Sequence, residues 1–301
     1  VYMNPLGAME SQRVYMSAQE EDGFIPYRVG PYSKKPVFSY NGDKTTSAPW
    51  YSYENWEIYL VSKDKQFLLQ AYESGVKFLN YLKSSRDKDH DGLYEWGGHA
   101  VLESVRDGYV PTWNLDWPSN FEAVDLNSML VKEAKVLSLM AKELEKSDDE
   151  KLLKLFADEL SNKINIYFWD EDTDFYYHVD KNDNDFSYKN DNDLKIQEIG
   201  GLLPLWAGVA SPTQAEKLVK NIFDTKKFWR EYGIPSISAD LPDYDGKANR
   251  CCKWNGPVWI QWNYLIFRGL IDYGYYEKAD ELAQKVFEAV RIQLKDSHNF
   301  Y

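Results

Sequence analysis

Residues 124–168 read VDLNSMLVKEAKVLSLMAKELEKSDDEKLLKLFADELSNKINIYF, and their apolar positions recur every three to four residues through two successive stretches. Leu126, Met129, Leu130, Ala134, Leu137, Met140 and Leu144 form one helical stripe over about 124–146. Leu152, Leu153, Phe156, Leu160, Ile164 and Phe168 form a second over about 149–168. Between them Ser147, Asp148 and Asp149 are helix-start residues, so the connection is a tight turn and the two helices are antiparallel neighbours.

The same period repeats outward along the chain. It predicts helices over about 49–62 and 65–83, over 197–209 and 212–224 joined by Ser211-Pro212, and over 256–273 and 276–295 broken at Gly274, with a further helix at 4–18. Trp50, Tyr53 and Trp56 share one face of the 49–62 helix and are read as core or barrel lining ahead of sugar contacts. About nine helices result, joined alternately by tight turns and by long, polar, aromatic-rich loops. Short turns then gather at one end of the hairpins, and the long loops build a shared cleft at the other. Phe175-Tyr176-Tyr177-His178 alternates like a strand and predicts a small hairpin at the loop end. No Pro/Gly/Ser-rich linker divides the 301 residues, which predicts one domain over 1–301. No heptad pattern or repeat of about 20–50 residues argues for a solenoid.

With 35 Lys and Arg against 48 Asp and Glu, the net charge is −13, which repels phosphate backbones and argues against a nucleic-acid partner. No apolar run is long enough to cross a membrane, and the first residues lack a signal-peptide pattern, so no membrane partner is expected; the sequence is silent on oligomeric state. The adjacent Cys251 and Cys252 have no accompanying His or further Cys and read as packing. Aromatic residues make up 16% of the chain, with 11 Trp and 23 Tyr. Interleaved with Asp, Asn and Glu, they fit a carbohydrate cleft, where rings stack on sugar faces, or equally a large core with Tyr-rich loops.

The stretch from Ser84 to Pro118 sets carboxylates among aromatics, including Glu103, Asp107, Trp113 and Trp117. Glycoside hydrolysis needs one carboxyl held protonated by an apolar surround. Asp107 fits that role, or Arg106 and Asp107 are an ordinary turn pair. Asp87-Lys88-Asp89-His90-Asp91-Gly92 begins like a calcium loop, but its twelfth position is Gly98 instead of a bidentate Glu. Calcium at Asp87, Asp89 and Asp91 therefore stands beside an Asp-rich turn as the default, and no other cofactor is expected.

Four stretches resemble glycoside hydrolase family 63 and its trehalase relatives, in the family's order. They are Glu103-Ser104-Val105-Arg106-Asp107, Ala123 to Leu130, Gly233 to Asp240, and Trp254-Asn255-Gly256-Pro257-Val258-Trp259 with Asn263-Tyr264-Leu265. The resemblance implies an all-α (α/α)6 toroid with a small β-hairpin in the long loops. It also implies an inverting α-glycosidase acting on an α-glucoside or α-mannoside, with Asp107 as general acid. Glu103, Arg106, Trp113, Asp125, Asn127, Trp254, Asn255, Gly256 and Trp259 are the candidate sugar contacts. The family's general base is a Glu close behind a segment like His298-Asn299-Phe300-Tyr301. It is expected just after Tyr301, in a barrel of nine to ten helices instead of twelve, truncated at both ends. Such a chain would bind sugar and hydrolyse it poorly. Asn255 stands where the family commonly has Arg, which weakens a clamping role there. The rival reading is a noncatalytic carbohydrate-binding helical toroid.

Overall fold

The structure, a computed structural model, describes residues 3–29, 39–40, 43–97, 115–116, 118–247 and 254–298. The chain forms two compact units: Val1–Glu103 with Pro118–Lys163, and Ser104–Trp117 with Ile164–Tyr301. Nine α-helices lie among the described residues, together with short antiparallel strands.

In the first unit, α1 (Pro5–Ala18) starts at a capping Asn4, whose Oδ1 accepts the Gly7 N–H at 2.9 Å. Helix α2 (Tyr51–Ser62) turns through the left-handed Lys63 into α3 (Lys65–Ser85), which Asp64 caps by accepting the Phe67 N–H at 2.9 Å. Helix α4 (Val124–Glu143) turns within three residues into α5 (Ser147–Tyr167), whose first turn carries Asp148, Asp149 and Glu150. Acidic residues there complement the helix dipole. α2, α3 and α4 pack on one another, and Phe67 and Ala71 of α3 join Met9 of α1 and Ile58 of α2 in one enclosed cluster.

In the second unit, a 3-10 turn (Ile199–Leu202) leads into the short α6 (Leu203–Ala207). Helix α7 (Pro212–Ile222) follows behind a capping box of Ser211 and Gln214. Helices α8 (Ile260–Asp272) and α9 (Tyr276–Ser297) pack on each other, and α8 packs on α6. Trp169–Asp170 pairs antiparallel with Phe175–Tyr176, which is the hairpin expected at 175–178. Two helix starts depart from the periodicity. The 197–209 stretch opens as a 3-10 turn through Gly200 and Gly201, and α8 begins at Ile260, four residues after the expected start. Gly256 lies at φ 150°, and Val258 is held extended in an antiparallel bridge with Pro235.

Connections within hairpins are residues 63–64, 144–146, 208–211 and 273–275, whereas the fully described one between hairpins, 168–198, is far longer. Two of the long connections are held by the same device. Asn127, in the first turns of α4, accepts the Tyr94 N–H at 3.1 Å and donates to the carbonyls of Tyr94 at 2.9 Å and Ala123 at 2.8 Å. Asn263, at the same place in α8, accepts the Ile234 N–H at 2.8 Å and donates to the carbonyls of Ile234 at 3.0 Å and Trp259 at 2.9 Å. Asn55 of α2 makes the equivalent bond to Tyr51, four residues back, at 2.8 Å. A primary amide suits this place because it offers a donor pair and an acceptor together, matching one residue's exposed C=O and N–H.

Helix α2 lacks a capping side chain of its own, and Glu133 of α4 supplies one. Its carboxylate accepts the Ser52 N–H at 2.8 and 3.0 Å and the Tyr53 N–H at 3.4 Å. Burial pushes the Glu133 carboxyl up to about 7, against the opposing pull of those hydrogen bonds. Because the folded-state value exceeds the unfolded one, folding favours the protonated form. The resulting stabilisation is complete below the ordinary value of 4.5 and is lost as pH rises through about 7.

Two outcomes follow. Between pH 5 and pH 8 the urea midpoint of the wild type is expected to fall relative to that of Glu133→Gln, which keeps an acceptor but cannot ionise; parallel midpoints would refute the assignment. Asn263→Ala leaves the enclosed N–H and C=O of Ile234 unpaired and is expected to cost roughly 2–4 kcal/mol in urea unfolding. A loss below about 0.5 kcal/mol would mean the clamp is dispensable.

Candidate active site

In the first unit the Asn127 clamp fixes Tyr94 and with it the two residues that follow. The Trp96 indole N–H donates to Asp125 Oδ1 at 3.1 Å, and that oxygen also accepts the Leu126 N–H. Asp125 and Trp96 are both enclosed. Glu95 bridges antiparallel to Glu122, so the two glutamates are direct cross-strand neighbours. Glu122 is 0% exposed, and neither of its carboxylate oxygens accepts a hydrogen bond among the described residues. Burial, then the charges of Glu95, Asp91, Asp89 and Asp87, push its carboxyl up to about 9. Burial raises Glu95 as well. Enclosure without a donor favours the protonated form of a carboxyl.

In the second unit, segments before α6 and α8 are laced together. Ile199 N–H donates to the Ser236 carbonyl at 2.8 Å, Ser238 N–H to that of Gln197 at 2.9 Å, and Ser236 N–H to that of Pro257 at 3.0 Å. The Gly256 N–H donates to Ser236 Oγ at 2.8 Å. A Cβ on Gly256 would lie 2.4 Å from the Asp245 carbonyl oxygen, and its φ of 150° disfavours any side chain, so glycine is required. The turn that results sets Trp254 and Trp259 face to face, ring centroids 4.3 Å apart and planes 8° from parallel, with Trp262 edge-on to Trp254 at 5.7 Å. Trp254 is enclosed and Trp259 half-buried. Beside them Asn255 donates through Nδ2 to the Asp243 carbonyl at 3.0 Å. A planar apolar surface of this kind is what the C–H face of a sugar ring stacks on.

Of the residues singled out in the sequence, Glu103, Arg106, Asp107, Trp113 and Trp117 lie outside the described residues, as do Cys251 and Cys252. The second unit brings together Trp254, Asn255, Gly256 and Trp259. In the first, Asn127 is fully enclosed and its amide is taken up by backbone, which positions Tyr94. The ligand oxygens of Asp87, Asp89 and Asp91 lie within 4.8 Å of one another and could hold a metal. Sequence reading missed Glu122 and Glu95, and it missed the buried His178 and Glu198, 3.5 Å apart beside the hairpin. In each case the partners are separated by 20 or more residues, and no local pattern joins them.

Residues 3–299 match the mannosylglycerate hydrolase MGH1-like glycoside hydrolase domain family. The probable mannosyl-oligosaccharide glucosidase of Schizosaccharomyces pombe is 27% identical over 210 residues, 67% of this chain and 25% of its own length. The mannosylglycerate hydrolase of Rubrobacter radiotolerans is 23% identical over 210 residues, 69% of this chain and 45% of its own. The chain thus spans less than half the length of either relative. Among solved structures, the GH63 mannosylglycerate hydrolase from Thermus thermophilus in complex with glucose aligns at a TM-score of 0.73 and 18% identity, covering 96% of this chain and 81% of that one. The same hydrolase in complex with Tris and D-glycerate aligns at 0.69 and 17%, covering 97% and 82%. Likeness at such low identity shows the fold, which is the all-α (α/α)6 class that the helical periodicity and the motifs led us to expect. Since the family match runs through both units, the chain belongs to the mannosylglycerate hydrolase MGH1-like glycoside hydrolase family, within the wider GH63 group.

Proposed function

We propose that the chain carries the catalytic domain of an inverting α-glycosidase that cleaves an α-mannoside or α-glucoside of an oligosaccharide or a small hydroxy acid. The observation that carries this reading is the parallel Trp254–Trp259 pair, half-buried on one side and bordered by the Asn255 amide, in a chain of glycoside hydrolase family. The glucose and D-glycerate bound by the Thermus thermophilus hydrolase support a sugar and a small acid as the two halves of the substrate. Asn255 argues against a carboxylate clamp at that position, because a neutral amide that already donates to the Asp243 carbonyl cannot replace a guanidinium fork.

In the mechanism Asp107 protonates the glycosidic oxygen as the C–O bond breaks. A second carboxylate deprotonates a water that attacks the anomeric carbon from the opposite face. One sugar is released with inverted configuration and the aglycone leaves as its alcohol. Stacking on Trp259 holds the ring while positive charge develops at the anomeric carbon.

Asp107→Asn in the full-length protein is expected to lower kcat by about 10^2–10^4-fold without loss of folding, and retained turnover would defeat its role as acid. Product followed by NMR immediately after mixing with an α-linked substrate should appear as the β anomer. An α product would overturn inversion, and sugar binding without any release would favour the noncatalytic carbohydrate-binding reading. Trp259→Ala is expected to raise KM more than it lowers kcat.

A further inference from the structure

We propose that Asp87, Asp89, Asp91 and Glu122, backed by Glu95, form a binding site for one calcium ion, in which Glu122 supplies from the neighbouring strand the carboxylate that the Asp loop lacks.

The loop places carboxylates at its first, third and fifth positions and Gly92 at its sixth, where the left-handed φ of 77° makes the sharp turn such loops need. Backbone amides orient the acids: Gly92 N–H donates to Asp87 at 3.3 Å, Asp91 N–H to Asp89 at 3.3 Å and Leu93 N–H to Asp91 at 2.7 Å. Their ligand oxygens converge within 4.8 Å. By sequence the pattern fails at its twelfth position, which is Gly98.

The cross-strand pairing repairs this defect. Glu95 holds the ninth position of the loop, and its antiparallel bridge to Glu122 brings a second glutamate to the same place. Glu122 is fully enclosed and both its oxygens lack hydrogen-bond donors among the described residues. The second oxygen of Glu95 lacks one too, while its first accepts the Lys88 N–H at 3.3 Å. As direct partners across an antiparallel bridge, Glu122 and Glu95 stand on one face, and the Glu95 carboxylate on that face reaches the loop at the Lys88 N–H. Two lysines border the cluster: Lys163 donates to the Asp91 carbonyl, and the Lys88 charge acts on Glu95. The enclosed Arg86, whose carbonyl accepts the Glu95 N–H at 3.0 Å, is a third cation, and five carboxylates against three cations still leave a deficit of positive charge. An enclosed carboxylate without a donor is unfavourable unless a cation or a proton compensates it.

The donor set selects the ion. The three converging aspartates, with the Glu95–Glu122 pair beside them and Leu93 at the position whose carbonyl such loops use, offer oxygen donors alone, which suits the six to eight ligands of calcium. Magnesium demands a tighter octahedron and keeps its waters. The ion would fasten Asp87–Glu95 to Glu122, the two flanks of the stretch that carries Asp107 in sequence. This inference is independent of the glycosidase reading.

The test uses the intact chain, stripped with chelator and titrated with calcium chloride alone, with magnesium chloride for comparison. Isothermal titration calorimetry should find one calcium per chain, bound more tightly than magnesium, and calcium should raise the melting temperature. Glu122→Gln should weaken calcium at least about tenfold while its calcium-free form melts close to the calcium-free wild type, because an enclosed carboxyl without an ion beside it already holds a proton and a neutral amide of the same shape replaces it. Asp89→Asn, at the exposed end of the loop, should also weaken binding. Absence of bound calcium, or an affinity unchanged in both variants, would overturn the site. Calcium weakened by Asp89→Asn and untouched by Glu122→Gln would overturn the closing role of Glu122.

Discussion

The amides of Asn127 and Asn263 satisfy the backbone of an extended residue, Tyr94 or Ile234, against the first turn of a hairpin's leading helix. A long connection that runs through protein instead of over its surface carries N–H and C=O groups that water cannot reach, and each needs a partner. One asparagine supplies both partners and ties itself to its own helix through a third bond. In the first unit the clamp sets Glu95 and Trp96 beside Asp125. In the second it sets Pro235 and Ser236, which bond to Pro257 and Gly256 and so turn Trp254 onto Trp259. Long loops thereby become as well placed as the helices they join, and chemistry built on loops needs this.

Buried carboxylates are the second organising feature of the first unit. Glu133 caps a helix that has no cap of its own, and Glu122 lies opposite Glu95 behind three aspartates. Both have raised values with burial as the leading cause, yet they differ in use. Glu133 is bonded to two backbone amides and serves stability. Glu122 has no donor among the described residues, and the proposed calcium site rests on it.

The fold is shared with proteins named as glucosidases, trehalases and mannosylglycerate hydrolases, so architecture leaves the substrate open. The features that distinguish substrates on such a scaffold are side chains on the long connections. Here an indole pair is bordered by a neutral amide bonded to backbone, which cannot clamp an anion as a guanidinium does.

The helices were legible in the sequence because an amphipathic stripe and a capping residue are local properties. Pro5–Ala18, Lys65–Ser85, Val124–Glu143, Ser147–Tyr167 and Tyr276–Ser297 all fall within a few residues of where periodicity puts them, as do the tight turns between partners. The Trp254–Trp259 motif was legible too, through its resemblance to a family. Tertiary structure alone decided where α8 begins, because the bridge between Pro235 and Val258 holds the chain extended past Gly256. It also decided that Asn127 and Asn263 do the same task, and that Glu95 and Glu122 stand opposite each other. Helical period is set by neighbours three and four residues away. A clamp or a cross-strand pair is set by segments about 30 residues apart, whose meeting depends on how the hairpins pack.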